Sequence, residues 1–363
     1  SGGQIMPPIM GAAAFIMADL LAIPYTKIAL AAIIPSLLFY YGVFLSIDCY
    51  SKRFDLRGIP ADEMPKAKEV LRPSRSLPLF VPIAVLMVFF MSGFTATKCA
   101  SYAIAVAVVL YLGTDIKNVK QRLFDLVQGL EDSTKDMLTV ITLIACSQIL
   151  LSVISTTGVG VKFTNVIVAI GGNNIILAGL CAMVATMIIG MGMPTVAAYI
   201  LAASVIAPAL TQIGVESIAA HFFVFYYAIF AGLTPPVCGT IFIASSLAQS
   251  HWVKTAIQAL KLSVAAFLVP FIIILDPALV LVGATAQIIR CTVTAFIGIT
   301  ALSGGFMRYF FRPVNLPCSI LLCAAGVLLV DTGIVTDVIG FGIVAVIFGY
   351  LFMTRKHTAR AKS

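Results

Sequence analysis

The sequence predicts an all-α polytopic membrane protein, and three observations carry that prediction. Of its 363 residues, 61% are apolar and only 10% charged, against about 45–50% and about 25% in an ordinary soluble domain. The apolar residues gather in long runs, the longest being 163–215, which holds no charged side chain. Further runs at 28–47, 77–94, 137–154, 262–275, 291–307, 313–330 and 338–353 approach the roughly 20 residues a helix needs to cross a bilayer. Segments of this length satisfy their own backbone groups in lipid as helices, not as a barrel.

The formal charge of +8, from 23 basic and 15 acidic residues, does not point to nucleic acid, because the basic residues sit between apolar runs. The tendency of cytoplasmic loops to hold Lys and Arg accounts for them. The eight cysteines form no C-x-x-C pair and lie mostly inside apolar runs, so they read as small core residues.

From the amino end, a broken apolar segment over 2–23 leads into the span at 28–47. A polar stretch over 51–76 carries seven basic residues and belongs in the cytoplasm. Spans at 77–94 and 99–113 follow. Over 117–135, Val119, Leu123, Leu126, Val127 and Leu130 recur at helical spacing, with Lys117, Lys120, Arg122, Asp125, Glu131 and Asp132 on the other face. This predicts an amphipathic helix lying along the membrane surface. A separate span at 137–154 returns the chain to the outside.

The uncharged stretch is divided by Gly190, Met191, Gly192, Met193, Pro194 and Thr195 into runs at 175–189 and 196–210. At 1.5 Å per residue each run covers about 22 Å, short of the roughly 30 Å hydrocarbon core. A re-entrant hairpin over about 172–212 fits better than two spans. Its tip must be buried in protein or line a cavity. A second broken helix, over 217–250, is interrupted at Gly232, Leu233, Thr234, Pro235 and Pro236. With the hairpin not crossing, 19 basic residues fall in the cytoplasm and four, Lys27, Lys98, Lys162 and Arg290, outside. A single span over 175–210 would reverse everything that follows.

The two Pro-Pro pairs, Pro7-Pro8 and Pro235-Pro236, are each followed by glycine at the same offset, Gly11 and Gly239, a displacement of 228 residues. The topology gives the two broken helices opposite directions, which is an inverted repeat. Such repeats place substrate and coupling-ion sites at the membrane midplane. Accordingly, 1–114 is the remainder of a first repeat, 115–276 the second, and 277–363 a set of carboxyl-terminal spans with a basic tail. The hairpin break precedes the second Pro-Pro by 41 residues, whereas six residues precede Pro7. A first hairpin is therefore expected upstream of Ser1.

The segments SGGQIMPPIMGAAAFIMA (1–18), GMGMPTVAAYILAA (190–203) and FAGLTPPVCGTIFIAS (230–245) resemble the large membrane subunit of tripartite ATP-independent periplasmic (TRAP) transporters. The GGQIMPP wording and the extra hairpin at about 313–353 resemble the TAXI-type fused subunits. The resemblance implies an elevator-type, sodium-coupled permease in a bacterial or archaeal cytoplasmic membrane. It also implies a periplasmic solute-binding protein as partner and a small-subunit-like membrane region fused upstream. The imported solute would be a small organic carboxylate.

Breaking a helix exposes carbonyls at the end of one half and N–H groups at the start of the next; the first suit Na⁺ and the second an anion. By resemblance, sodium sites fall at Gly2, Gly3, Gln4, Gly190, Gly192, Gly232, Leu233 and Thr234. The substrate would lie against Gln4, Met193, Pro194, Thr195 and Thr234. Asp19, His221 and His251 read as structural residues, and Met191 as cavity lining or core. No metal cluster, nucleotide loop or intramembrane catalytic pair is legible, so no enzyme and no cofactor beyond Na⁺ as coupling ion is expected. The remaining alternative is a channel or a non-transporting scaffold subunit.

Overall fold

The computed structural model describes residues 2–8, 10–56, 58, 64, 72–114, 118–172, 174–235, 238–331 and 333–360. Much of the polar stretch at 51–76 lies outside the described residues, as do Lys117 and Pro236. Among the described residues the protein is almost wholly helical. A 3₁₀ turn, Gly2–Gln4, precedes α1 (Ala12–Leu20), α2 (Tyr25–Arg53), α3 (Pro73–Met91) and α4 (Ala96–Gly113). There follow α5 (Val119–Thr157), α6 (Val159–Gly171), α7 (Ile175–Gly190), α8 (Thr195–Gln212), α9 (Ser217–Ala231), α10 (Gly239–Leu247) and α11 (Trp252–Leu275). A second 3₁₀ turn, Pro277–Val280, leads to α12 (Thr285–Met307), the short strands β1 (Tyr309–Phe310) and β2 (Arg312–Pro313), α13 (Leu316–Leu328) and α14 (Ile334–Arg360).

Among the described residues four helices, α2, α8, α11 and α12, are long and apolar enough to cross a membrane. With the apolar composition of the chain, they make this a multi-pass membrane protein. Large apolar side chains on other helices face outward, among them Phe80, Ile104, Val109 and Ile149, as expected of a surface solvated by lipid rather than water.

The core sits on α8 and α9. Every residue from Phe222 to Ala231 is buried, and Tyr199, Phe222, Phe223, Phe225, Tyr226, Tyr227 and Phe230 are enclosed completely. A helix apolar on all sides belongs at the centre of a bundle, and α9 packs against α7, α8 and α11. Around it, α2 packs on α11 and α12, while α1 reaches α2 and α8.

Two elements differ from the expectation. The amphipathic segment and the following span form one 39-residue helix, α5, about 58 Å long at 1.5 Å per residue. Between Lys135 and Met137 there is neither Gly nor Pro to break it, and Lys135 pairs back to Glu131 at 2.8 Å along the helix. The helix ends at Gly158, which is left-handed at φ +66°. Next, α6 forms over Val159–Gly171, where the sequence predicts no separate element. It packs on α7 and α8, and its buried Thr164 donates to the carbonyl of Val205 at 3.2 Å.

The helix register also refines the repeat. Helices α1 and α10 are both nine residues long. Each closes on a left-handed residue, Ala22 (φ 53°) and Gln249 (φ 47°). In one, the N–H of Ile23 donates to the carbonyl of Ala18 at 3.0 Å; in the other, Ser250 donates to Ser245 at 2.9 Å. The next helices begin at Tyr25 and Trp252. All these pairs are 227 residues apart, not the 228 of the prolines, so the first copy carries one extra residue between its prolines and its helix.

At the carboxyl end, α12, α13 and α14 meet with little side chain between them. A Cβ on Gly298 would lie 3.2 Å from the carbonyl oxygen of Gly326, and one on Gly326 would overlap Leu302 Cγ. Small residues let membrane helices approach this closely. The hydroxyl of buried Ser319 joins the two helices by donating to Gly305 O at 2.6 Å.

Candidate functional site

Helices α7 and α8, of 16 and 18 residues, lie against each other and are joined by a turn at 191–194. The turn follows from its residues. Met191 N–H donates to Ile188 O and Met193 N–H to Gly190 O, both at 3.3 Å. Gly192 takes φ +74°, a conformation that glycine adopts at little cost. Pro194 then stands at the N-cap and Thr195 opens α8, proline being pre-shaped for the first turn. Gly192 and Pro194 are exposed, Met193 and Thr195 half-buried, and Gly190 buried.

Gly190 faces the other break directly. A Cβ there would come within 2.7 Å of Ala231 Cβ and 3.7 Å of Ala228 O, so the end of α7 touches the end of α9. Past Ala231, the N–H of Leu233 donates to Phe230 O at 2.8 Å. The buried hydroxyl of Thr234 donates to Ala231 O at 3.1 Å. Gly232 O accepts from the Thr240 hydroxyl at 2.6 Å. Leu233 packs into the core. The second break is thus a folded turn whose polar groups are partly satisfied internally.

The first break is folded by the same logic. Ile5 N–H donates to Gly2 O at 3.0 Å, and Gly11 N–H to Gln4 O at 3.1 Å, the counterpart of the bond to Gly232 O. Tyr25, stacked on Phe15 at 4.1 Å, donates its hydroxyl to Pro8 O at 2.9 Å. Gly3 is open, whereas a Cβ on Gly2 would strike the Tyr40 ring and lie 3.1 Å from Phe39. Phe39 in turn stacks on Phe230 with ring centroids 5.9 Å apart. Through this ring the first break reaches the helix that runs into the second.

One polar atom in the first break stands apart. The side-chain oxygen Oε1 of Gln4 is enclosed and has no hydrogen-bond donor, an expensive arrangement for a buried acceptor.

The structure therefore brings Gly190 to the second break and links Gly2 to it through Phe39. The facing pair Ala228 and Ala231, and the tie from Tyr25 to Pro8, had no signal in the sequence: alanine and tyrosine in an apolar run look like packing. Behind the first break lie two open cavities. One, of about 350 Å³, is lined by Pro7, Pro8, Tyr25 and Phe90; the other, of about 830 Å³, by Asp19, Thr26, Thr95 and Thr97. Asp19 is exposed at the end of α1. His221 is tied to Tyr199 on α8, Nδ1 to Oη, at 2.8 Å. His251 caps α11, accepting from Val253 N–H at 3.3 Å.

A family model described as the tripartite ATP-independent periplasmic transporter, DctM component, matches residues 1–288. No curated protein matches the chain.

Proposed function

From the premise that the chain belongs to the DctM family, the large membrane component of tripartite ATP-independent periplasmic transporters, we propose that it imports a small organic carboxylate by sodium symport. A periplasmic solute-binding protein would deliver the solute, and a small-subunit-like membrane region would complete the permease. The resemblance of its GGQIMPP segment and carboxyl-terminal hairpin favours the TAXI-type branch.

The observation that carries sodium coupling is the orphaned Oε1 of Gln4. An enclosed carbonyl oxygen without a donor is a hard ligand of the kind a cation satisfies, and it stands beside the broken backbone of Gly2–Gln4. At the α7–α8 turn, the amino terminus of α8, whose N–H groups begin at Thr195 because Pro194 has none, is suited to a carboxylate. In this reading α7 and α8 form a re-entrant hairpin, although α8 at 18 residues is long enough to cross by itself. Its 16-residue partner α7 covers only about 24 Å, and the tip rests on buried Ala231, where irregular backbone is tolerated.

The test is uptake into proteoliposomes by the complete permease with its binding protein. Accumulation should require an inward sodium gradient and proceed without ATP. Gln4→Met, which keeps the shape and removes the oxygen, should weaken sodium activation at least tenfold. Undiminished uptake driven by protons in sodium-free buffer would overturn the reading. Movement only down the solute gradient would favour a channel.

A further inference from the structure

The sequence separates Lys52 and Arg53 from Arg308 and Arg312 by about 255 positions, yet the fold joins them. Arg53 Nη1 donates to the carbonyl of Met307, the last residue of α12, at 2.9 Å. This brings together the ends of α2 and α12 and the ribbon of β1 and β2. Four cationic side chains thus share one edge with two carboxylates. Asp48 is paired to Lys52 at 2.7 Å, and Asp55 is exposed at the end of α2.

Aromatic rings occupy the same edge. Phe311, at the tip of the ribbon, is 71% exposed and packs edge-on to Phe310 and Phe348 at 4.9 and 5.7 Å. Phe54 is also exposed and lies under the Arg53 guanidinium at 5.2 Å. Between α2 and the ribbon is a cavity of about 210 Å³ lined by Leu45, Asp48, Lys52, Tyr309 and Phe311 among others, with Asp48 held by Lys52. At the end of α12, next to Tyr309 in the chain, Nε of Arg308 is enclosed without an acceptor.

Exposed phenylalanine rings at the end of membrane helices insert at the boundary between headgroups and acyl chains. Clustered Lys and Arg at that level attract anionic lipid. An enclosed guanidinium nitrogen without a partner needs an acceptor oxygen. We propose that the junction of α2, α12 and the β1–β2 ribbon binds the phosphate headgroup of an anionic phospholipid in the leaflet where these helices end. Arg308 and Arg312 grip the phosphate, and Phe311 reaches into the acyl boundary. The ribbon, residues 309–313, lies beyond the region matched by the family model and α2 within it, and the proposal does not rest on the sodium reading.

The test is titration of the purified full chain with phosphatidylglycerol and phosphatidylcholine, followed by native mass spectrometry. Phosphatidylglycerol should be retained at least about tenfold better. With each basic residue worth about fivefold, Arg308→Gln/Arg312→Gln should lower that affinity about 25-fold, while Lys98→Gln leaves it unchanged. A photoactivatable phosphatidylglycerol on the unaltered chain should cross-link within 308–316, which keeps the test decisive if the double variant does not fold. Equal retention of both lipids, an unchanged double variant, or cross-links elsewhere would overturn the proposal. Full displacement by millimolar inorganic phosphate would overturn the lipid assignment and leave a phosphate site.

Discussion

Gly190 and Ala231 stand face to face, so close that a methyl group on the glycine would lie 2.7 Å from that of the alanine. The contact fixes the tip of the α7–α8 turn on the end of α9. Gly190→Ala should cost about 1–3 kcal/mol, the usual effect of overfilling a packed site, and lower the thermal unfolding midpoint in detergent. Adding Ala231→Gly should recover part of that loss despite the poorer helix propensity of glycine. Strictly additive losses would show that the two residues do not share a contact.

Thr195 and Thr234 lie at breaks, whereas Thr292 lies within α12 and donates to its own helix at Ile288 O, 2.7 Å away. Valine at each position removes one hydroxyl at nearly constant volume. Thr195→Val and Thr234→Val should impair sodium activation or uptake about tenfold, and Thr292→Val hardly at all. Thr234 also bonds its own backbone, so an effect equal to that at Thr292 would make it a packing residue.

Two buried tyrosines should respond oppositely to loss of their hydroxyls. Tyr199 shares its oxygen with His221 Nδ1 at 2.8 Å, and Tyr199→Phe strands that nitrogen, a destabilisation of about 1–3 kcal/mol. The hydroxyl of Tyr226 is enclosed with no partner. Tyr226→Phe should therefore be neutral or raise the unfolding midpoint. Unfolding scans of the two variants side by side check the pair.

Sidedness is best tested away from Cys49, which is buried. Asn315 and Ala286 are exposed near opposite ends of α12. In a background free of other cysteines, Asn315→Cys should be labelled by an impermeant maleimide only from the cytoplasm. Ala286→Cys should be labelled only from outside. The reverse pattern would mean that α7 and α8 together change the direction of the chain.

The helices that the sequence reveals most clearly are those bounded by glycine and proline. The turn at Gly192 and Pro194 is legible because both residues have narrow backbone preferences, and the two Pro-Pro pairs locate both breaks for the same reason. The continuity of α5 is not legible in that way. The change from mixed to apolar composition near Lys135 resembles an element boundary, but composition alone does not end a helix without a breaker. The one-residue difference between proline spacing and helix register is likewise hidden, because a turn absorbs an extra residue while its flanking caps keep their bonding pattern. Contacts between distant segments, such as Arg53 with Met307 or Phe39 with Phe230, depend on how helices are stacked and leave no local trace.

The backbone contact between α12 and α13 limits where this protein can shear. With Gly298 against the Gly326 carbonyl and Leu302 filling the notch above it, sliding by even one residue would drive a side chain into main chain. These two helices travel or stay together as a single plate. Any relative displacement within the chain must pass through seams where side chains meet side chains, whose rotamers can change partners during a stroke.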